Sequence, residues 1–265
     1  MPDAEILRRD ATLLSDVVRE AGSLALKMFQ TELRSWIKGT SSPVSEADMA
    51  VNDLVETRLR NATPDYGWLS EESADDTSRI GKALTWIVDP IDGTRAYLAG
   101  KTDWSVSIAL VGNGAPLLAA VFAPASEQFF FAIKGNGATL NDKTILAASG
   151  IEINFPNIAG PKPLVERLGT MKEGEGLHPR IGSLALRLAR VGEGTLDAAF
   201  AGGNSRDWDL AAADLIVHEA GGKMTTLAGE PLVYNSADVR HGLLVAAGRA
   251  RHKHIVEYFR KHPVY

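Results

Sequence analysis

Apolar side chains recur every three or four residues in two segments of the N-terminal part of the chain, which is the spacing of one face of an α-helix. The first segment covers residues 4–29 and the second covers residues 45–59. Ser45, with Asp48 three positions later, is a typical helix start. Both segments are therefore predicted to be amphipathic helices, the second beginning at Ser45.

Short runs rich in β-branched and aromatic residues predict strands after these helices. They cover residues 67–70, 84–88, 104–111, 117–122 and 128–133. Glycine-containing turns at 112–114 and 135–137 lie among them, as in an antiparallel meander.

The pattern changes after about residue 150 to helices that alternate with short strands. Helices are predicted over residues 161–168, 183–191, 209–220 and 250–262, and strands near 196–200 and 242–247. The fold class is therefore predicted to be α+β, with an N-terminal half over residues 1–150 and a C-terminal half over residues 151–265.

Composition narrows the function classes. Of the 265 residues, 45% are hydrophobic and 23% charged, which is typical of a soluble globular enzyme, and the net charge of −5 gives no reason to expect a nucleic acid polymer as a partner. Because the chain has no cysteine, disulfides, thiolate metal sites and cysteine nucleophiles are excluded. The N-terminus lacks a signal-peptide core, and no apolar run approaches the roughly 20 residues of a membrane span. We therefore expect a cytoplasmic protein with no membrane partner.

The most informative polar residues follow the second predicted strand. Asp89 and Asp92 flank Pro90, and Gly93 and Thr94 come next. Because proline lacks a backbone donor, we expect the strand to stop there. Two carboxylates aimed at one point repel each other unless a cation such as Mg²⁺ lies between them, and free amides at a helix start favour an anion. The same residues are also typical of a plain turn, so other segments must decide.

Three other segments carry acids in suggestive places. Glu71 is the first polar residue after the first predicted strand, and Asp209 lies in the first turn of a predicted helix, with Asp207 as its expected N-cap. Lys38 begins a loop that leads to Asp48. Each segment alone has an ordinary structural explanation.

Together the four segments resemble the inositol monophosphatase superfamily of Mg²⁺-dependent, lithium-sensitive phosphatases. Its signature D-P-[IL]-D-G-T is present at residues 89–94, and W-D-x-A-[AG] at residues 208–212. The upstream E-E pair and the lysine loop with T/S-x-x-D are present in the same order. The resemblance covers nearly the whole chain and implies a layered αβαβα sandwich, a homodimer and phosphoric monoester hydrolase activity.

The resemblance also implies a metal-ligand set of two to three Mg²⁺ ions. Glu71, Asp89 and the backbone carbonyl of Ile91 would hold one ion. Asp89, Asp92 and Asp209 would hold a second, and a third, weaker ion would lie near Glu71.

For the reaction itself, the resemblance implies that the amides of Gly93 and Thr94 bind the phosphate of a small phosphorylated metabolite. Thr94 with Asp48 would orient the attacking water, and Lys38 would lie near the phosphate or the metal waters. Such a reaction needs no covalent nucleophile.

The substrate is less strongly indicated. Members that act on inositol phosphates have a glutamate seven residues before the Asp of the second signature, where this chain has Gly202. Residues 69–72, 93–97 and 103–106 look more like the bacterial 3′(2′),5′-bisphosphate nucleotidase branch, which converts adenosine 3′,5′-bisphosphate to AMP and phosphate. We therefore favour that substrate, with inositol 1-phosphate as the alternative. A regulatory binding protein that keeps the fold is a further alternative, which the complete set of carboxylates disfavours.

The bisphosphate hypothesis also has a departure to explain. Members of that branch often carry a lysine in the helix after G-S, where this chain has Leu186. We expect Arg187 or Arg206 to bind the second phosphate instead, and Arg95 to contact the substrate.

Overall fold

The structure, a computed structural model, describes residues 3–38, 42–75, 77–169, 172–173, 176 and 178–264. The α-helices within these residues are α1 (Ala4–Met28), α2 (Glu46–Ala62), α3 (Thr94–Leu98), α4 (Lys162–Glu166), α5 (Leu184–Glu193), α6 (Asp207–Glu219) and α7 (Arg249–Lys261). Two short 3₁₀ helices cover Pro124–Ser126 and Phe155–Asn157.

The strands are β1 (Ser35–Lys38), β2 (Ser42–Ser45), β3 (Gly67–Ser70), β4 (Leu84–Asp92), β5 (Ser105–Gly112), β6 (Ala115–Ala123), β7 (Gln128–Ile133), β8 (Ala138–Leu140), β9 (Lys143–Thr144), β10 (Ile153–Asn154), β11 (Ile158–Ala159), β12 (Lys172–Glu173), β13 (Ala198–Ala201), β14 (Ser205–Arg206), β15 (Gly222–Thr226), β16 (Arg240–His241) and β17 (Leu244–Gly248).

Two sheets alternate with three helical layers. Helices α1 and α2 pack on one face of a seven-stranded sheet, and α5 and α6 pack on its other face. A four-stranded sheet in the order β11-β13-β17-β15 covers the opposite side of α5 and α6, and α7 packs on its outer face. This is the predicted αβαβα sandwich. Because each sheet is covered on both faces, central strands such as β4 and β5 are buried along their whole length.

The seven-stranded sheet follows chain order from β3 to β9. All of its pairs are antiparallel except β3 with β4, which run parallel. The predicted meander is therefore confirmed. The parallel pair matters for function, because the carboxyl ends of two parallel strands lie at the same edge of a sheet.

The expectation that a strand stops before Pro90 is wrong. β4 continues to Asp92, and its pairing with β5 shifts register between Asp89 and Asp92. Proline is tolerated at such a bulge because the irregular backbone there needs no ladder donor.

The strands of the seven-stranded sheet end before residue 145, and those of the four-stranded sheet begin after residue 157. One hydrophobic core joins residues of both, including Leu69 and Ile87 from the larger sheet and Leu244 and Ala246 from the smaller one. The division into halves at residue 150 stays a prediction.

Candidate active site

The parallel pair β3 and β4 brings the first two acids together. Ser70 lies opposite Val88, and the Glu71 amide donates a hydrogen bond to the Val88 carbonyl at 3.1 Å. Glu71, which directly follows β3, therefore lies beside Asp89 of β4. Neither spacing nor composition alone could have established this, since the two residues are separated by a long loop.

Asp89, Asp92 and Asp209 form a cluster that fits a metal ion. One carboxylate oxygen from each lies within 4.8 Å of those of the other two. Asp89 Oδ1 is buried and, among the described residues, has no hydrogen-bond partner. A buried carboxylate oxygen without a donor is costly unless a cation binds it, and oxygen ligands are those that Mg²⁺ prefers.

The electrostatics of the cluster point the same way. Burial, and then the neighbouring carboxylates, raise the pKa of Asp89 and of Asp209 well above the usual range. Burial raises the pKa of Glu71 to about 7, although the Lys38 ammonium opposes the shift. Without a cation, burial and mutual repulsion therefore favour the protonated, neutral form of these acids.

Asp92 is held by the start of α5. Its Oδ2 accepts hydrogen bonds from the Ser183 hydroxyl at 2.5 Å and from the Ala185 amide at 2.6 Å. The Ser183 hydroxyl itself accepts from the Leu186 amide at 2.9 Å, as a helix N-cap does. The sequence analysis did not identify Ser183 as a site residue, although a serine as the first residue of a predicted helix was the available signal.

Asp48 has two roles, one for each oxygen. Its Oδ2 accepts from the Ser45 amide and hydroxyl at 2.8 and 2.5 Å, which confirms the predicted helix start. Its Oδ1 accepts from the Thr94 hydroxyl at 3.0 Å, and that hydroxyl also lies 3.1 Å from the Ile91 carbonyl. The structure thus pairs Thr94 with Asp48 at the wall of the cluster.

The prediction that Asp207 is an N-cap is wrong. Arg206 occupies the N-cap position of α6, and its amide donates to Asp209 Oδ2 at 2.6 Å. Asp207 is instead fully buried one residue later, where it accepts from the Asn235 amide at 2.7 Å and lies 2.7 Å from His241 Nε2. The Asp207 carboxylate is therefore held by residues distant in sequence and does not cap the helix.

The acids open onto a cavity of about 310 Å³. Its wall includes eight of the predicted site residues: Glu71, Asp89, Ile91, Asp92, Gly93, Thr94, Arg95 and Asp209. Lys101, Asp103 and Arg180 also line it and were not predicted. Gly93 has a φ of +93°, and a Cβ atom there would lie 3.0 Å from the Ser183 amide nitrogen, so glycine is required at this close approach.

Lys38 lies beside the cluster. Its Nζ donates to the Glu71 carbonyl at 2.7 Å and to Glu72 Oε2 at 2.9 Å, and lies 3.8 Å from Glu71 Oε1. Residues 39–41 of the predicted lysine loop lie outside the described residues.

The structure separates the predicted arginines. Arg95 lines the site cavity, whereas Arg206 is exposed, with its guanidinium 5.6 Å from the centre of the Trp208 ring. Arg187 lines a neighbouring cavity of about 450 Å³, together with Lys162, His178 and Arg180. Leu186 is fully buried in the core, so only the next position of α5 faces that cavity.

Arg180 lines both cavities, so the two adjoin. Arg187 Nε is buried and has no hydrogen-bond partner among the described residues. Burial lowers the Arg187 pKa, and the nearby Asp92 carboxylate opposes that shift. Positive charge therefore flanks the carboxylates on this side.

None of the helices formed by the described residues combines the length and apolarity that crossing a membrane requires.

Comparison with known proteins shows the family to which this chain belongs. The model of the inositol monophosphatase family matches residues 7–263. The inositol-1-monophosphatase of Rhizobium meliloti is 34% identical over 231 residues, which cover 82% of this chain and 85% of that protein. The Nus factor SuhB of Xylella fastidiosa is 33% identical over 229 residues, which cover 82% of each chain.

A solved structure, the Thermotoga maritima IMPase, superposes with a TM-score of 0.82 at 26% identity and covers 96% of this chain and 97% of that one. Relatives of this chain include proteins named inositol-1-monophosphatase, Nus factor SuhB and histidinol-phosphatase, and none of these three names is that of a bisphosphate nucleotidase. The favoured substrate from the sequence is thus not confirmed, whereas the alternative agrees with the relatives. With its signatures, fold and carboxylate cluster, this chain belongs to the inositol monophosphatase family of metal-dependent phosphoric monoester hydrolases.

Proposed function

We propose that this protein hydrolyses a small phosphate monoester with a water molecule activated by Mg²⁺. The observation that carries the proposal is Asp89 Oδ1, which has no hydrogen-bond partner among the described residues and lies within a cluster of mutually repelling carboxylates. Such a cluster is stable only with protons or cations, and its position at the wall of a cavity gives a substrate access to it.

We propose that the site holds two to three Mg²⁺ ions. Glu71, Asp89 and the Ile91 carbonyl offer one set of oxygens, and Asp89, Asp92 and Asp209 offer another, with a third ion proposed near Glu71. Bound Mg²⁺ supplies charge neutralisation for the ester and lowers the pKa of a coordinated water.

The chain's own groups would do the positioning. Thr94 donates its proton to Asp48, so the lone pairs of its hydroxyl are available to accept a hydrogen bond from the attacking water. The amides of Gly93 and Thr94 are the proposed phosphate donors. Lys38 would balance the negative charge of Glu71, beside which it lies.

The test compares the wild-type protein with Asp92→Asn in a phosphate-release assay with and without Mg²⁺. We expect activity only with Mg²⁺, and a loss of about 100-fold or more in the variant. Asp16→Asn, a substitution of an exposed acid in α1, is the matched control and should retain activity. If the wild-type protein released no phosphate from any small monoester, the enzyme proposal would fail and the regulatory alternative would stand.

For the substrate, we propose inositol 1-phosphate as the first candidate. It rests on the names of the relatives and on Asp103, whose carboxylate at the cavity wall can accept hydrogen bonds from ring hydroxyls. Gly202 remains the departure from the inositol-specific pattern.

Adenosine 3′,5′-bisphosphate is the second candidate, because the adjoining cavity with Lys162, Arg180 and Arg187 would suit a second phosphate. The same charges disfavour a cationic substrate such as histidinol phosphate. A panel of these three esters with fructose 1,6-bisphosphate, each with and without lithium, decides between the candidates. A tenfold preference in kcat/KM corresponds to about 1.4 kcal/mol of transition-state stabilisation.

Two further expectations belong to the proposal. We propose a homodimer, which sedimentation equilibrium would test, and a cytoplasmic location, which fractionation of cells would test. Lithium inhibition in the substrate panel would extend the family resemblance to this chain.

A further inference from the structure

A larger cavity lies at the outer end of the small sheet, between β15 and α7. Its volume is about 580 Å³, against about 310 Å³ for the active-site cavity. Its described lining carries four cationic side chains and one acid, namely Lys223, Arg249, Lys253, Arg260 and Glu257. The chain as a whole has a net charge of −5, so this local excess of positive charge runs against its overall balance.

The acids of the fold do not neutralise this excess. Lys253 lies 3.9 Å from Glu257, an exposed pair that contributes little. Across the part of the chain that the structure describes, neither Lys223 nor Arg249 forms an ion pair. The Lys223 ammonium and the Arg249 guanidinium are therefore available to bind an anionic ligand at this cavity.

Arg260 is held in place by the opposite turn. Its Nε and Nη2 donate to the Ala228 carbonyl at 3.1 and 2.8 Å. Gly229, with a φ of +89°, allows the turn to come this close, because a Cβ atom there would lie 2.9 Å from Arg260 Nη2. A guanidinium fixed in this way loses little side-chain entropy when it binds an anion.

The cavity also has a buried and well-defined wall. The Thr225 hydroxyl donates to the Thr226 carbonyl at 2.7 Å, so at 2.9 Å from His252 Nε2 it must act as the acceptor. Burial, with Lys223 and His218 nearby, lowers the pKa of His252 to about 4. His252 is therefore neutral at physiological pH, chiefly because it is buried, and the positive charge of Lys223 and His218 adds to the lowering of its pKa.

This cavity is separate from the active site. His218, which lines it, and Asp209, which lines the active site, lie nine positions apart on α6, or about 14 Å along the helix axis. An anion bound in the cavity would not contact the carboxylate cluster.

We propose that this cavity is a binding site for a small polyphosphate anion, either an inorganic polyphosphate or the polyphosphate chain of a nucleotide. The ligand must carry several negative charges to match Lys223, Arg249, Lys253 and Arg260. Phosphate oxygens suit both the fixed guanidinium and the lysine ammonium groups.

The test is isothermal titration calorimetry of the full chain with inorganic tripolyphosphate, and in a second arm with ATP. Both arms contain EDTA, because metal-free carboxylates repel anions from the active site. We expect one ion bound per chain. The double substitution Lys223→Glu with Lys253→Glu should weaken binding at least tenfold, as both side chains are exposed and the fold should be unaffected. The control Lys82→Glu with Lys143→Glu changes the net charge equally at exposed positions elsewhere and should shift the Kd less than twofold.

Tighter binding of ATP than of tripolyphosphate would identify a nucleotide as the source of the phosphate chain, and the reverse order would identify the inorganic anion. No binding at millimolar concentration, or an equal loss in the control, would overturn the proposal. It would also fail if single-stranded RNA bound and neither small anion did, since the basic surface would then serve a nucleic acid. Phosphatase activity does not enter any of these outcomes.

Discussion

Removing one hydroxyl, with Ser183→Ala, should weaken both the start of α5 and the metal site. The Ser183 hydroxyl donates to Asp92 Oδ2 and accepts from the Leu186 amide, and it lies 2.9 Å from the Ser105 hydroxyl. Since its proton is used by Asp92, Ser105 must be the donor to it. The substitution therefore breaks three hydrogen bonds, one of them to a proposed metal ligand.

The size of the effect follows from these contacts. Loss of an N-cap hydroxyl costs about 1 kcal/mol, and loss of a hydrogen bond to a charged group about 1.5–3 kcal/mol. The Ala185 amide remains on Asp92, so we expect a fall of about 2–3 kcal/mol in the free energy of unfolding. Loss of the donor also raises the Asp92 pKa further, and the Mg²⁺ concentration for half-maximal activity should rise about tenfold, or about 1.4 kcal/mol.

Two measurements check this prediction: urea unfolding at pH 7.5, and a Mg²⁺ titration of phosphatase activity. Ser183→Thr retains a hydroxyl and should recover most of both losses. Ser23→Ala removes an exposed hydroxyl from α1 and serves as the control. If Ser183→Ala lowered stability but left the Mg²⁺ requirement unchanged, the serine would only cap the helix, and its proposed role in positioning Asp92 would be refuted.

Three further predictions concern the same site. The pKa of Glu71 rises from 4.5 to about 7 on folding, so the metal-free folded protein binds the Glu71 proton more tightly than the unfolded chain does. The Tm of the metal-free protein should therefore fall as pH rises from about 5 to 8, and Mg²⁺ should raise Tm more at pH 8 than at pH 5. A metal-free Tm that did not change with pH would contradict the pKa shift. Thr94→Val removes the hydroxyl next to Asp48 and should lower kcat about 100-fold while leaving the free energy of unfolding unchanged. Thr94→Ser keeps the hydroxyl, so its kcat should stay within tenfold of the wild-type value. An equal loss of kcat in both variants would argue against the role of the hydroxyl. Gly93→Ala puts a side chain on a residue whose φ is +93°, with its Cβ atom 3.0 Å from the Ser183 amide nitrogen. Calorimetry should therefore find the free energy of unfolding lowered by about 2 kcal/mol or more. An unchanged free energy of unfolding would mean that the turn can relax.

Local patterns predicted most of the regular structure. The helix expected over residues 4–29 is observed as Ala4–Met28, and that expected over 250–262 as Arg249–Lys261. Both are amphipathic, so periodicity alone identifies them. Short pairs such as β10 with β12 and β14 with β16 were not predicted, because two residues carry too little pattern.

The errors in prediction occur where tertiary contacts override a local rule. Asp207 has the residue type of an N-cap, but Asn235 and His241, which are distant in sequence, hold its carboxylate. Pro90 has the residue type of a strand terminator, but a bulge carries β4 past it. In both cases the local preference is weak, of the order of 1 kcal/mol, and buried contacts outweigh it.

The sequence by itself predicted which residues would carry the chemistry, since the two signatures mark Asp89, Asp92, Asp209 and Thr94 as the expected members of a metal-dependent phosphatase site. Only the tertiary structure decided how they act together. The parallel pairing of β3 with β4 sets Glu71 beside Asp89, and the start of α5 supplies Ser183 to Asp92 across 91 positions of sequence. The physical reason is that carboxylate repulsion, burial and hydrogen bonding depend on distances of a few ångströms between segments that the linear order keeps apart. The basic cavity has the same origin, because β15 and α7 meet there only in the folded chain.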